Sequence, residues 1–199
     1  MSAKQARTTA IAETLEKIRS EMAQGASDEA LSRSRTHLMA LAAQTELFPR
    51  VDFPLPEEGK NERTFLIQED EDGSYALYVN SGLKGQTTRP HDHGASWAIV
   101  VAVEGDERHR VYRRVDDGSV EGRGEVEVID EVDVSPGHGI CLPESGIHSI
   151  HALSDAPLLH LHLYGKSFAN QSTRTEYDLE NGTTHAYKLR RLDFIEDAR

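Results

Sequence analysis

Cysteine occurs once in this 199-residue chain, and no apolar run approaches the roughly 20 residues that a membrane-spanning helix needs. The lone Cys141 excludes an internal disulfide framework, and its strand-like setting gives it no activating neighbour. Basic residues are also scarce: 22 Lys and Arg against 34 Asp and Glu leave a net charge of −12, which argues against a nucleic-acid partner. Met1-Ser2-Ala3-Lys4-Gln5 lacks the apolar core of a signal peptide. The hydrophobic fraction, 37%, is modest but falls in clear runs, so disorder throughout is not expected. These absences lead to the expectation of a cytoplasmic protein without a membrane or nucleic-acid partner; a monomer or homodimer is expected. An anionic substrate would need a local cation in the site.

Ile11, Leu15, Ile18 and Met22 recur at helical spacing until Gly25 interrupts. Ser27 caps an expected second helix carrying Leu31, Leu38 and Leu41. Pro49, Pro54 and Pro56 mark a linker, so residues 1–56 read as a helical segment and 57–199 as a barrel with a C-terminal tail, one compact domain. From Arg63 onward short apolar runs alternate with turn signals, the mark of a strand sandwich or barrel. Strands are expected at Phe65 to Gln68, Tyr75 to Val79, Trp97 to Val103, His109 to Val115, Glu125 to Ile129, Gly139 to Leu142, His148 to Leu153 and Leu158 to Tyr164. Asp72-Gly73 joins the first two as a hairpin, and the acidic run from Glu69 to Asp72 reads as its solvated turn. The last thirty-five residues are polar and weakly patterned, a tail that would pack across the barrel.

Six of the ten histidines fall in two regions, His91/His93 and His148/His151/His160/His162. In an extended strand His91 and His93 point the same way and Asp92 the other, giving half of a divalent-metal site. Either histidine alone would more often be structural. His148, held at a strand entry after Gly146, supplies the third ligand, since His151 would face the opposite side. In Leu158 to Tyr164 the alternation places His160, His162 and Tyr164 on one face and Leu159, Leu161 and Leu163 on the other. Either the polar face lines a cavity or the leucines point inward and the histidines are exposed.

Gly85, then His91-Asp92-His93 and a strand ending at Gly105, resembles the first motif of the cupin superfamily. Gly139 to His148, with Pro143 and Gly146, resembles a degenerate second one. Where most cupins carry a glutamate after the second histidine, Trp97 and Ala98 stand here. A three-histidine set without that carboxylate is similar to the cysteine dioxygenase-type thiol dioxygenases, as is His148 followed by His162-Leu163-Tyr164. The resemblance spans roughly Arg63 to Phe168 and implies a mostly-β fold, the double-stranded β-helix or jelly-roll barrel of cupins, with the helices packed outside.

It further implies a non-haem iron dioxygenase that converts a small thiol of the cysteine or 3-mercaptopropionate type to its sulfinate with O2. His91, His93 and His148 would hold Fe(II), with nickel or zinc as substitutes in a purified sample. Tyr164 would act as the catalytic hydroxyl with His162 behind it. Arg63 would meet the substrate carboxylate, with Arg89 and Arg113 as competitors, and His160 is a second substrate-side candidate, an extra acid, base or ligand should the cupin act on a non-thiol molecule. Ala98 stands near the cysteine that eukaryotic members cross-link to their tyrosine, so no cross-link forms. Alternatives are a metal-dependent cupin acting on a non-thiol molecule, and a ligand-sensing cupin without turnover.

Overall fold

The computed structural model of the chain describes residues 3–83, 85, 87–153, 156–187 and 195–199. Two helices, α1 (Ala3–Glu21) and α2 (Asp28–Ala42), precede a mostly-β body. The Ser27 side chain accepts a hydrogen bond from the Ala30 N–H, the capping expected of it, while Asp28 and Glu29 complement the positive end of α2. Ile11, Leu15 and Ile18 of α1 and Leu31, Leu38 and Leu41 of α2 are all buried.

Six strands form one sheet in the order β11-β1-β2-β8-β3-β6: β1 (Glu62–Glu69), β2 (Ala76–Gly82), β3 (Ala98–Glu104), β6 (Gly139–Leu142), β8 (Leu158–Tyr164) and β11 (Ile195–Asp197). A second sheet has the order β5-β4-β7, from β4 (Glu107–Arg114), β5 (Val126–Val134) and β7 (Ile147–Ala152). The segment from Thr87 to His91 runs beside β7, bridging Thr87 to His151 and His91 to His148. A hairpin of β9 (Arg174–Asp178) and β10 (Thr183–Tyr187) lies beyond it, through a bridge between His91 and Glu176. From β2 to β8 the chain passes repeatedly between the two sheets, which is the winding of an antiparallel jelly roll. The fold is therefore the mostly-β double-stranded β-helix with helices outside. Among the described residues, no helix is long and apolar enough to cross a membrane.

The parity of β8 decides which side chains meet the barrel interior. Leu159, Leu161 and Leu163 pack with α1, α2, Val79, Ile99 and Val101 in the outer core. His160, His162 and Tyr164 face inward and are 1%, 4% and 5% exposed. Room for these rings comes from β3, whose Ala98, Val100 and Ala102 stand opposite Tyr164, His162 and His160. Trp97 packs edge-on against Tyr75 in the outer core, and Cys141 donates its S–H to the Leu31 carbonyl while burial pushes its thiol up to about 11.

Candidate metal centre

His91 and His93 do not sit in a regular strand. After the bridge at His91 the chain turns at Gly94 and Ala95, both with positive φ. Gly94 is needed there twice over: its φ is +59°, and a Cβ would lie 2.3 Å from the Ser172 carbonyl oxygen. Asp92, pointing away from its two neighbours, accepts hydrogen bonds from the backbone N–H groups of Gly94 and Thr175 at 2.9 and 3.1 Å. The motif is thus clamped between β7 and β9, and the two histidine rings come within 5.5 Å, centre to centre.

His148, on β7, completes the group: one donor atom from each of His91, His93 and His148 lies within 4.8 Å of the others. Burial is the main force on all three. It pushes His91 down to about 4 and holds His93 and His148 well below their ordinary value, with neighbouring positive groups adding to the effect. All three rings are neutral at pH 7 and offer lone pairs.

Hydrogen bonds fix which lone pairs are offered. His91 donates from Nδ1 to the Arg89 carbonyl at 2.9 Å, leaving Nε2 bare. Behind His148, its Nδ1 is 2.8 Å from His109 Nδ1, and His109 Nε2 is 2.8 Å from Glu107 Oε1. An ionised Glu107 accepts only, so His109 donates to it from Nε2 and accepts at Nδ1 from the His148 N–H. That chain leaves His148 Nε2 as an acceptor, 3.1 Å from His93 Nε2. Two nitrogens bound to one ion at about 2.0–2.1 Å sit roughly 3 Å apart, so the donor set fits a divalent metal. Carboxylate–imidazole support of this kind orients a ligand and raises its basicity.

The cluster opens on a cavity of about 220 Å³, whose walls include Thr64, His91, His148, His162, Tyr164, Phe168 and Arg174. That is below the about 300–1,000 Å³ of sites for drug-sized ligands and suits a small molecule. Burial pushes the Tyr164 hydroxyl up, against the opposing pull of the Arg174 guanidinium, so it stays protonated. His162 is driven down to about 3 by burial, and its Nδ1 lies 3.3 Å from the Tyr164 hydroxyl. With its proton on Nδ1 the imidazole donates to the phenol oxygen and frees the phenol proton for the cavity.

The structure corrects two of the expected substrate contacts. Arg63 is on the wrong face of β1: Glu62 and Thr64 line the cavity, so the residue between them points to the other side, where its guanidinium lies 5.2 Å from the Phe65 ring centre. Two cations do reach the cavity: Arg89, exposed and paired with Glu176, and Arg174 on β9, 6% exposed, with Nε and Nη2 donating to Gln171 Oε1 and the guanidinium over Tyr164 and Phe168. His160 is absent from the main cavity and sits deeper in the barrel, its Nδ1 at 2.8 Å from Glu107 Oε1. Burial opposes charge on His160, but Glu107 and the Gly105 carbonyl outweigh it and raise the imidazole pKa. Glu107 is held well below the carboxylate range, because His160 and His109 overcome its own burial.

Sequence reasoning passed over Glu107, His109 and Arg174. For the first two a signal existed, since Glu107, His109 and Val111 share a strand face while Arg108 and Arg110 point out. Arg174 had none, because β9 carries no periodic pattern.

No protein-family model matches the chain, and no curated protein does. Among solved structures it is similar to TT1209 from Thermus thermophilus at 17% identity, covering 60% of this chain and 97% of that one with a TM-score of 0.45. It is similar to an uncharacterized double-stranded β-helix protein from Klebsiella pneumoniae at 12% identity, covering 65% and 88% with a TM-score of 0.46. A third is KdgF from Halomonas sp., at 14% identity, 60% and 94% coverage and a TM-score of 0.43. Likenesses this distant assign no metal, substrate or activity to the chain, and the assignment of the barrel rests on the strand order itself.

Proposed function

We propose that the protein oxidises a small, carboxylate-bearing thiol to its sulfinate with O2, using a ferrous ion held by His91, His93 and His148. The observation that carries this reading is a donor set of three neutral imidazoles with no carboxylate, two of which, His91 and His148, line one cavity with Tyr164 and Arg174. When bound, the iron would lower the thiol pKa and supply the redox chemistry of dioxygen.

The remaining work falls to side chains. Arg174, fixed by Gln171, binds the substrate carboxylate and so orients its sulfur toward the histidine cluster. Ile150 and Phe168 line the cavity with apolar surface. Tyr164 keeps its proton and donates a hydrogen bond to the oxygen being transferred, while His162 holds the phenol in place. Ala98 stands opposite Tyr164 in the register, so the phenol ring has no covalent tether. Overall, RSH and O2 give RSO2− and H+: both oxygen atoms end on sulfur, which loses four electrons as O2 gains four.

Protein loaded with Fe(II) should consume O2 with cysteine or 3-mercaptopropionate, yielding one sulfinate per O2, and should work poorly on cysteamine, which lacks the carboxylate. Bound iron without O2 consumption on any thiol would refute the proposal.

A further inference from the structure

Deeper in the barrel, Glu107 from β4 and His160 and His162 from β8 converge, with one donor atom from each within 4.8 Å of the others. The three are 4%, 1% and 4% exposed. With Asn80 and Glu62 they border a second cavity, of about 20 Å³. A space of that size takes one water molecule or one ion.

The polar atoms around it favour an ion. His160 Nδ1 lies 2.8 Å from Glu107 Oε1, and among the described residues Asn80 Oδ1 is buried without a partner on the same wall. A buried amide oxygen is seldom left so, and one facing a carboxylate and two imidazoles around so small a space marks a place for a guest. A carboxylate, two imidazoles and an amide oxygen together offer lone pairs, the donor set that a first-row divalent cation takes. We propose that Glu107, His160 and His162 form a second divalent-metal site, of the two-histidine, one-carboxylate type, with Asn80 Oδ1 as an additional oxygen donor. The ion would take the place of the proton held between Glu107 and His160. Through His109, which bonds both Glu107 and His148, this second site touches the first. The inference rests on these side chains alone and stands whether or not the substrate is a thiol.

The test is a Co(II) titration of the full-length, chelator-stripped protein, followed by visible absorption and by counting metal per chain after desalting. The wild type should hold two ions, and both His160→Gln and the double variant His93→Ala/His148→Ala should hold one. A wild type with one ion that disappears in the double variant overturns the second site and leaves the three-histidine reading intact. One ion that survives the double variant but is lost in His160→Gln supports the second site and overturns the first. Two ions retained by His160→Gln, or none in the wild type, also overturn the proposal. Should His160→Gln fail to fold, the wild-type and double-variant counts decide the matter together.

Discussion

Acidifying the metal-free protein from pH 7 to pH 5 should remove several kcal/mol of stability, because the barrel encloses imidazoles that fold uncharged. His162 shows the arithmetic. Burial holds it at about 3, against an ordinary 6.5. As pH falls through 6.5 the unfolded chain takes up this proton and the folded chain does not, so the unfolded state is favoured throughout the window down to the folded value. At about 1.4 kcal/mol per pH unit below 6.5, this ring alone costs about 2 kcal/mol at pH 5. His91, pushed down to about 4 chiefly by burial, acts in the same direction, reduced by its partial exposure. His93 and His148, held well below 6.5 by burial, add to the loss. His160 runs the other way: its raised pKa gives stability that is complete below 6.5 and lost as pH rises through the folded value, which offsets part of the change. The net loss should therefore exceed the about 2 kcal/mol of His162 alone, a large share of the roughly 5–15 kcal/mol that holds a domain folded. Urea unfolding of chelator-treated protein, followed by the fluorescence of the single buried Trp97, measures it at both pH values. His162→Gln should shrink the acid penalty by about 2 kcal/mol. Equal stabilities at pH 5 and pH 7, or an unchanged pH slope in His162→Gln, would show that these imidazoles do not fold uncharged.

Replacing Arg174 with Ala should lower kcat/KM for carboxylate thiols roughly 100-fold, the equivalent of losing about 3 kcal/mol of charge-assisted hydrogen bonding, and leave cysteamine turnover nearly unchanged. An equal loss on both substrates would contradict a carboxylate contact. Tyr164→Phe should reduce kcat by about 100-fold with unchanged iron content per chain, because only the proton donor is lost. Leu161→Ala, at a fully buried position between the first sheet and the helices, should cost about 2–5 kcal/mol in chemical denaturation. A cost below about 1 kcal/mol would contradict the helix–sheet packing.

Where side chains alternate cleanly, the sequence was readable in detail. Gly139–Leu142 and Leu158–Tyr164 form strands with the bounds that their patterns predict, and the inward turn of His160, His162 and Tyr164 follows from three leucines buried under the helices. Ser27 and the spacing of Leu31, Leu38 and Leu41 marked α2 equally well. Arg63 shows what pattern reading lacks: the choice of face depends on register, and a shift of one residue moves a side chain from the cavity to the opposite surface. Arg174 was illegible for another reason. Its strand is held against the histidine motif by backbone bonds, Asp92 N–H to the Thr175 carbonyl and Tyr177 N–H to the Pro90 carbonyl, which leave no trace in side-chain periodicity. The Glu107–His109 support was masked by its outward neighbours, since Arg108 and Arg110 pair with Asp133 and Glu131 and make the strand look like a charged surface.

Under the proposed function, three neutral imidazoles take a metal and leave it ready for a thiolate. X-ray absorption of the iron-loaded protein, before and after adding 3-mercaptopropionate, tests this most directly. The iron should show a shell of nitrogen and oxygen neighbours that gains one sulfur at about 2.3 Å, as for thiolate on zinc, when the thiol is added. A shell that stays free of sulfur at saturating thiol, or iron that remains bound at full occupancy in His93→Ala/His148→Ala, would contradict it.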